Sequence, residues 1–208
     1  MAEYLRNPEE IYRRSFSIVR RETDFSKMPE DIAALALRVV HACGMPDIAL
    51  DLAWDGRVAD AAWGALSEGK PIIADCRMVA EGVIKTHLPN DNTVLCGLVN
   101  PATTAYAEKT GTTRSAAAFD VLSGQIDGAV VAIGNAPTAL YRLLELIAGG
   151  ETRPAAVLAF PVGFVGAAES KEALISGSHG VPYLTLRGRR GGSAMAAAAV
   201  NALRDASS

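Results

Sequence analysis

Histidine is scarce in this chain of 208 residues, with only His41, His87 and His179. The metal-binding spacings HxH, HExxH and mixed Cys/His are all missing, so no metal is expected. Cysteine is equally sparse. Cys43, Cys76 and Cys96 form no CxxC pair, and an odd number argues against a disulfide framework. Reduced, buried thiols in a cytoplasmic protein are the expectation. Long apolar runs are also lacking. The Ala-rich stretch AMAAAAV is far too short for a membrane span, so no membrane partner is expected. The start, MAEYLRNPEE, is polar and acidic and does not read as a signal peptide. Positive charge is not in excess: 20 Lys and Arg face 23 Asp and Glu, for a formal charge of -3. Bulk attraction to nucleic acid is thereby excluded, and any anion site must be built locally.

Half of the residues are apolar and 21% are charged. This composition suits one globular domain over residues 1–208, and two domains would be cramped. Helical periodicity marks 8–22, 26–44 and, more weakly, 56–68. Pro8 and Pro29 open the first two, and Gly44 is a natural stop for the second. After residue 70 the pattern changes to short apolar runs: PIIAD (71–75), TVLCGL (93–98), AVVAI (129–133), AAVLAF (155–160) and PYLTL (182–186). Helical stretches at 113–123, 137–148, 167–175 and 193–204 follow most of them. Apolar strands without polar alternation need a sheet covered on both faces. Strand and helix in alternation imply parallel strands with right-handed crossovers. The loops DCRMVAEG, GNAPT, FPVGFVGAAES and RGRRGGS should therefore crowd the carboxyl edge of the sheet, where ligands bind in such folds.

Each candidate residue has a bland reading beside the chemical one. GRRGGS (188–193) joins a strand to a helix. Its glycines admit a ligand close to the backbone, and Arg189, Arg190, Ser193 and the first helical N–H groups can receive an anion. The bland alternative is a solvated basic turn, and the GK[ST] ending of a phosphate loop is missing. In GNAPTAL, Asn135 or Thr138 is suited to cap a helix, a structural role more than a catalytic one. GFVGAAES is GxxG and not GxGxxG, which speaks against a dinucleotide loop. Arg114 stands in the first turn of a helix capped by Thr112 or Thr113. A cation there opposes the helix dipole, and a ligand carboxylate would relieve it; an exposed arginine is the equal alternative. His41 ends a helix one turn after Arg38. The negative helix end should raise its pKa unless burial opposes this, making a useful acid. On the residues alone, a surface histidine capping the helix is the favoured reading.

The strings IYRRSFSIVRRE, RVVHACG, TTRSAAA, VVAIGNAPTAL, FPVGFVGAAESKEAL and RGRRGGSAMAAAAVNAL together resemble the precorrin-8X methylmutase family, from about Tyr4 to Leu203. The resemblance implies a three-layer α/β/α, flavodoxin-like fold with a mostly parallel five-stranded sheet and extra N-terminal helices. It implies a homodimer that needs no cofactor and no metal. The implied activity is that of an intramolecular transferase of vitamin B12 synthesis. It moves a methyl group from C-11 to C-12 of precorrin-8X to give hydrogenobyrinate, formally a 1,5-sigmatropic shift, with product hand-over to the next enzyme as a further possible contact. By the same resemblance His41 is the catalytic residue, an acid toward a ring nitrogen. Ser15 and Arg38 match substrate-contacting positions, and Arg114, Asn135 and Arg189 are assigned to the substrate site. The acetate and propionate groups of such a substrate suit scattered arginines and helix N-termini.

The chain departs from the family pattern at Thr112, where asparagine is expected, at Arg77, where an acid is expected, and at Ile84 and Lys85. Two other readings stand beside this one. One is an enzyme for cobalt-precorrin-8, as in the anaerobic pathway. The other is a non-catalytic tetrapyrrole carrier, which turnover would distinguish from an enzyme.

Overall fold

The computed structural model describes residues 4–206. The first three and last two residues of the expected 1–208 domain, and with them the start of the MAEYLRNPEE terminus, lie outside the described residues. The chain opens with two helices, α1 (Pro8–Glu22) and α2 (Glu30–Cys43), packed against each other. Asn7 caps α1 by accepting the Glu10 N–H at 3.0 Å, and Pro8 takes the first turn, where its missing donor costs nothing. α2 begins at Glu30, later than the periodicity implies. Pro29 stands before it in extended conformation, and the residues before a proline resist the helical region. Gly44 closes α2 at φ +69°, with its N–H on the Val40 carbonyl at 2.8 Å.

The remaining elements are β1 (Leu52–Trp54), α3 (Val58–Ser67), β2 (Ile72–Ala74), α4 (Arg77–Gly82), β3 (Val94–Cys96), α5 (Pro101–Thr110), α6 (Arg114–Val121), β4 (Val130–Ile133), α7 (Pro137–Ala148), β5 (Ala156–Ala159), α8 (Ala167–Ser176), β6 (Tyr183–Leu186) and α9 (Ser193–Ala206). The strands form one sheet in the order β1-β6-β5-β4-β2-β3. Five of them, β2 to β6, run parallel in the doubly wound pattern whose order reverses between β2 and β4.

The sheet has six strands and not five. The addition, β1, runs antiparallel along β6 at the edge, Leu52 opposite Leu186. Three residues behind a 3₁₀ segment (Pro46–Asp51) carry no periodicity by which to read a strand. The helix α5 was equally unreadable, because only Thr103 and Ala107 are buried along it. All but the first two residues of the expected DCRMVAEG loop form the short helix α4.

Alternate strand residues serve opposite layers, which is why the runs are apolar throughout. Ile72, Ala74, Val130, Ala132, Leu158, Leu184 and Leu186 join one core with α2, α3, α4 and α9. Ile73, Val131, Ile133, Val157 and Ala159 join the other with α6, α7 and α8. Each buried Val, Leu or Ile side chain among them is worth roughly 1.5–3 kcal/mol. None of the helices is long and apolar enough to cross a membrane, among the described residues. The cysteines are free thiols, but only Cys76 is buried; Cys43 and Cys96 are half-buried.

Candidate active site

The carboxyl edge of the sheet is tied into one frame by hydrogen bonds between its loops. Asp75, wholly buried at the end of β2, accepts three backbone N–H groups from the turn after β4. Gly134 donates to Oδ1 at 2.9 Å; Asn135 and Ala136 donate to Oδ2 at 2.9 and 2.7 Å. Burial pushes the Asp75 carboxyl above the ordinary carboxylate range, against the pull of these donors. Neither Asn135 nor Thr138 caps α7, as the sequence reading had it. Ala136 stands at the cap position without a side-chain bond; Asp75 holds the turn that precedes the helix, and Thr138 instead bonds Thr113, the cap of α6, at 2.8 Å.

From there the frame continues. Val162 donates its N–H to the Asn135 carbonyl at 3.4 Å, Gly163 to Arg189 at 3.2 Å and Gly192 to Phe160 at 2.8 Å. The Cys76 thiol meets the Ser193 hydroxyl at 3.3 Å, at the start of α9. Two glycines allow this closeness. A Cβ at Gly134 would stand 2.6 Å from the Ser193 Cα, and one at Gly191 would fall onto the carbonyl oxygens of Phe160 and Pro161.

On this frame Asn135, Arg114 and Arg189 are exposed. Arg114, in the first turn of α6, spends one N–H on the Leu98 carbonyl at 3.1 Å. The Arg189 guanidinium lies 5.6 Å from the centre of the Phe164 ring, and Phe164 is 86% exposed. Arg190 turns the other way, onto Asp47 and Asp51. The edge therefore offers Arg114 and Arg189, with no carboxylate partner among the described residues, an amide and an exposed aromatic ring.

The second group lies on α1 and α2. Ser15 Oγ is 2.9 Å from His41 Nδ1. The His41 ring stacks on Phe16, with centroids 4.8 Å apart and planes at 12°, and meets Tyr12 edge-on at 5.7 Å. Such ring pairs contribute about 0.5–1.5 kcal/mol each and fix the imidazole plane. Arg38 pairs with Asp205 of α9 at 2.8 Å and lies against the Tyr12 and Phe16 rings. Tyr12, Phe16, Arg38 and Asp205 line one end of an open cleft of about 830 Å³ between the two helices. The expected rise in the His41 pKa is not found. Partial burial holds the imidazole below 6.5, and the Arg38 charge one turn away pushes it further down.

Ser15, Arg38 and His41 are thus brought together, and Arg114, Asn135 and Arg189 share the sheet edge. Among the described residues no hydrogen bond, ion pair or ring contact joins the two groups. The reading of the sequence did not single out Asp75, Phe164 or Lys171. A carboxylate ending the apolar run PIIAD was a usable signal for Asp75. Phe164 had only its place between Gly163 and Gly166, and nothing marked Lys171.

A family model described as precorrin-8X methylmutase matches residues 10–206. The chain is 52% identical over 203 residues to the precorrin-8X methylmutase of Pseudomonas aeruginosa, covering 98% of each. It is 38% identical over 196 residues to the cobalt-precorrin-8 methylmutase of Methanothermobacter thermautotrophicus, covering 93% of this chain and 91% of that one. Among solved structures, the precorrin-8X methyl mutase of Thermus thermophilus superposes with a TM-score of 0.86 at 34% identity, covering 95% of both chains.

Proposed function

The chain belongs to the precorrin-8X methylmutase family and is a methyl-shifting isomerase of cobalamin biosynthesis, and from that premise we propose its substrate and the roles of its site residues. The substrate is metal-free precorrin-8X and the product hydrogenobyrinate. The greater likeness to a precorrin-8X enzyme than to a cobalt-precorrin-8 enzyme carries this choice. The cytoplasm is the proposed compartment, in keeping with three free thiols.

A methyl shift within one molecule is redox-neutral and needs no nucleophile. It is helped by a hydrogen bond or proton at a ring nitrogen, which draws electron density toward the product chromophore. His41 is the donor in this reading. The Ser15 hydroxyl serves Nδ1 in either state, donating to the neutral ring and accepting from the imidazolium, and this leaves Nε2 for the substrate. The lowered pKa becomes part of the cycle. Burial is the larger cause of the lowering, and Arg38, already paired with Asp205, adds to it; a substrate carboxylate on Arg38 offsets the second cause and so favours the protonated ring in the complex. Arg114 and Arg189 receive further carboxylates, and Phe164 offers a face to the macrocycle.

The test is an absorbance assay with metal-free precorrin-8X and its cobalt form side by side. Faster conversion of the metal-free substrate is expected, and preference for the cobalt form would overturn the choice. In product titrations, alanine at Arg38, Arg114 or Arg189 should each weaken binding about ten-fold or more, as loss of a shielded charge-assisted contact requires. Wild-type affinity in all three variants would reduce the basic loops to solvated turns.

A homodimer with the cleft near its interface belongs to the same reading. Tyr4, Leu5, Ile11 and Tyr12 lie exposed at and before the start of α1, beside the His41 cluster, a patch that one sheet does not cover. A second copy seated there would bring its own sheet edge toward His41 and join the two groups that a single chain keeps apart. Light scattering at micromolar concentration should give twice the chain mass; a stable monomer would count against it.

A further inference from the structure

Lys171, in the second turn of α8, is wholly buried. Its Nζ donates to the carbonyl oxygen of Arg190 at 2.6 Å, and that acceptor sits in the loop that carries Arg189. A buried ammonium is costly, and an apolar side chain of the same length would serve packing better. The loop around it divides its arginines sharply. Arg187 is paired with Glu172, Arg190 with Asp47 and Asp51, and Arg189 has no carboxylate partner among the described residues. The backbone of Arg189 is held from one side by the Gly163 N–H, and the next carbonyl from the other by Lys171.

Resting on the reading of the sheet edge as the substrate site, we propose that Lys171 is a positioning residue for Arg189. It clamps the Arg190 carbonyl so that Arg189 faces the substrate, and it places a buried positive charge behind the rim that receives carboxylates. An ammonium donor makes a bond roughly twice as strong as a neutral one, and in a water-poor setting its charge reaches further than a surface lysine's.

The charge is also conditional. Burial pushes the Lys171 amine down to about 8, with the neighbouring Glu172 pulling the other way. Among the described residues, Glu172, itself paired with Arg187, is the charged group that acts on it, and the Arg190 whose carbonyl it holds is paired with Asp47 and Asp51. Burial raises the Tyr141 phenol and the three thiols and lowers the Lys171 amine, so among these groups it is the amine that is brought into the range between pH 7 and 9. The unfolded chain keeps the amine protonated to about 10.5, so the ammonium costs the fold stability at pH 7 and that cost fades between 8 and 10.5. Replacing the lysine removes that cost but leaves the Arg190 carbonyl without its donor, so the pH profile of binding, and not the melting temperature, separates positioning from packing.

The experiment titrates hydrogenobyrinate into wild type, Lys171→Met and Arg189→Ala by absorbance, from pH 7 to 9.5, with thermal melts and steady-state kinetics alongside. At pH 7, Lys171→Met should bind product about three- to ten-fold more weakly, with KM raised and kcat held. Wild-type affinity should drop by a similar factor between pH 7 and 9, and the variant should show no such drop. If Arg189→Ala binds weakly while Lys171→Met matches wild type and the wild-type profile is flat, the role assigned to Lys171 is wrong. If Arg189→Ala itself binds as wild type does, the edge is not the substrate site, and the proposal falls with that reading. Should Lys171→Met not fold, the wild-type profile decides alone: a drop supports the clamp and a flat line overturns it.

Discussion

His41→Ala should lose about 10²–10⁴-fold in turnover, the usual worth of general acid catalysis, while still binding hydrogenobyrinate within a few-fold of wild type. That loss corresponds to about 3–5 kcal/mol of activation barrier. Binding survives because the carboxylate contacts are assigned to arginines and not to the imidazole. His41→Asn should fail as well, since an amide donates a hydrogen bond but delivers no proton. Single-turnover absorbance with enzyme in excess separates chemistry from product release. The pH profile adds an independent check. The active form is protonated and the free histidine titrates below 6.5, so kcat/KM should fall as pH rises through that lowered value. The fall in kcat should lie at higher pH, because in the complex a substrate carboxylate faces Arg38. A folded His41→Ala protein that turns over near the wild-type rate would end the acid proposal and leave orientation in the cleft as the whole catalyst.

Removing the Asp75 carboxylate should have the largest effect on stability. Asp75→Ala strands the N–H groups of Gly134, Asn135 and Ala136 at the start of α7. An unsatisfied buried donor costs roughly 1–3 kcal/mol. With some relaxation and water entry, the expected loss is about 3–5 kcal/mol. For a domain of this size that is a fall of roughly 6–20 °C in melting temperature. Asp75→Asn keeps the shape but replaces one acceptor oxygen with a donor, so it should recover only part of the loss. Thermal melts of both variants settle the matter. Unchanged melting temperatures would mean that water or another group satisfies the turn.

The layers and the parallel strand order follow from apolar runs alternating with helices, and those runs were legible at nearly every strand. The sixth strand was not, because Leu52–Trp54 is held by its pairing with Leu184–Leu186 and by no pattern of its own. His41 was legible as a helix end beside Arg38, but its pKa was not. The dipole is written in the chain, whereas the burial that outweighs it depends on how α1 packs over α2. Asn135 was read as a cap because its residue type suits one. Its backbone N–H is instead held by Asp75, 60 residues away in sequence, a distance that local reading cannot span. Lys171 lies in ESKEAL, within the expected helix 167–175, and nothing local marks it as buried. Its burial is decided by the loop that folds over it.

The bonds that fasten the sheet-edge loops run between backbone groups (Val162 to Asn135, Gly163 to Arg189, Gly192 to Phe160) or use the side chains of Asp75, Cys76, Ser193 and Lys171. The outward side chains of Asn135, Phe164 and Arg189 therefore carry little of the loop frame. A chain built this way can be re-lettered at those positions without redrawing its loops. Change of substrate and maintenance of the fold become separable problems for mutation. The three positions are accordingly the natural places to randomise in a library selected for acceptance of cobalt-bearing or differently substituted macrocycles, with Asp75, Gly134 and Gly191 kept fixed.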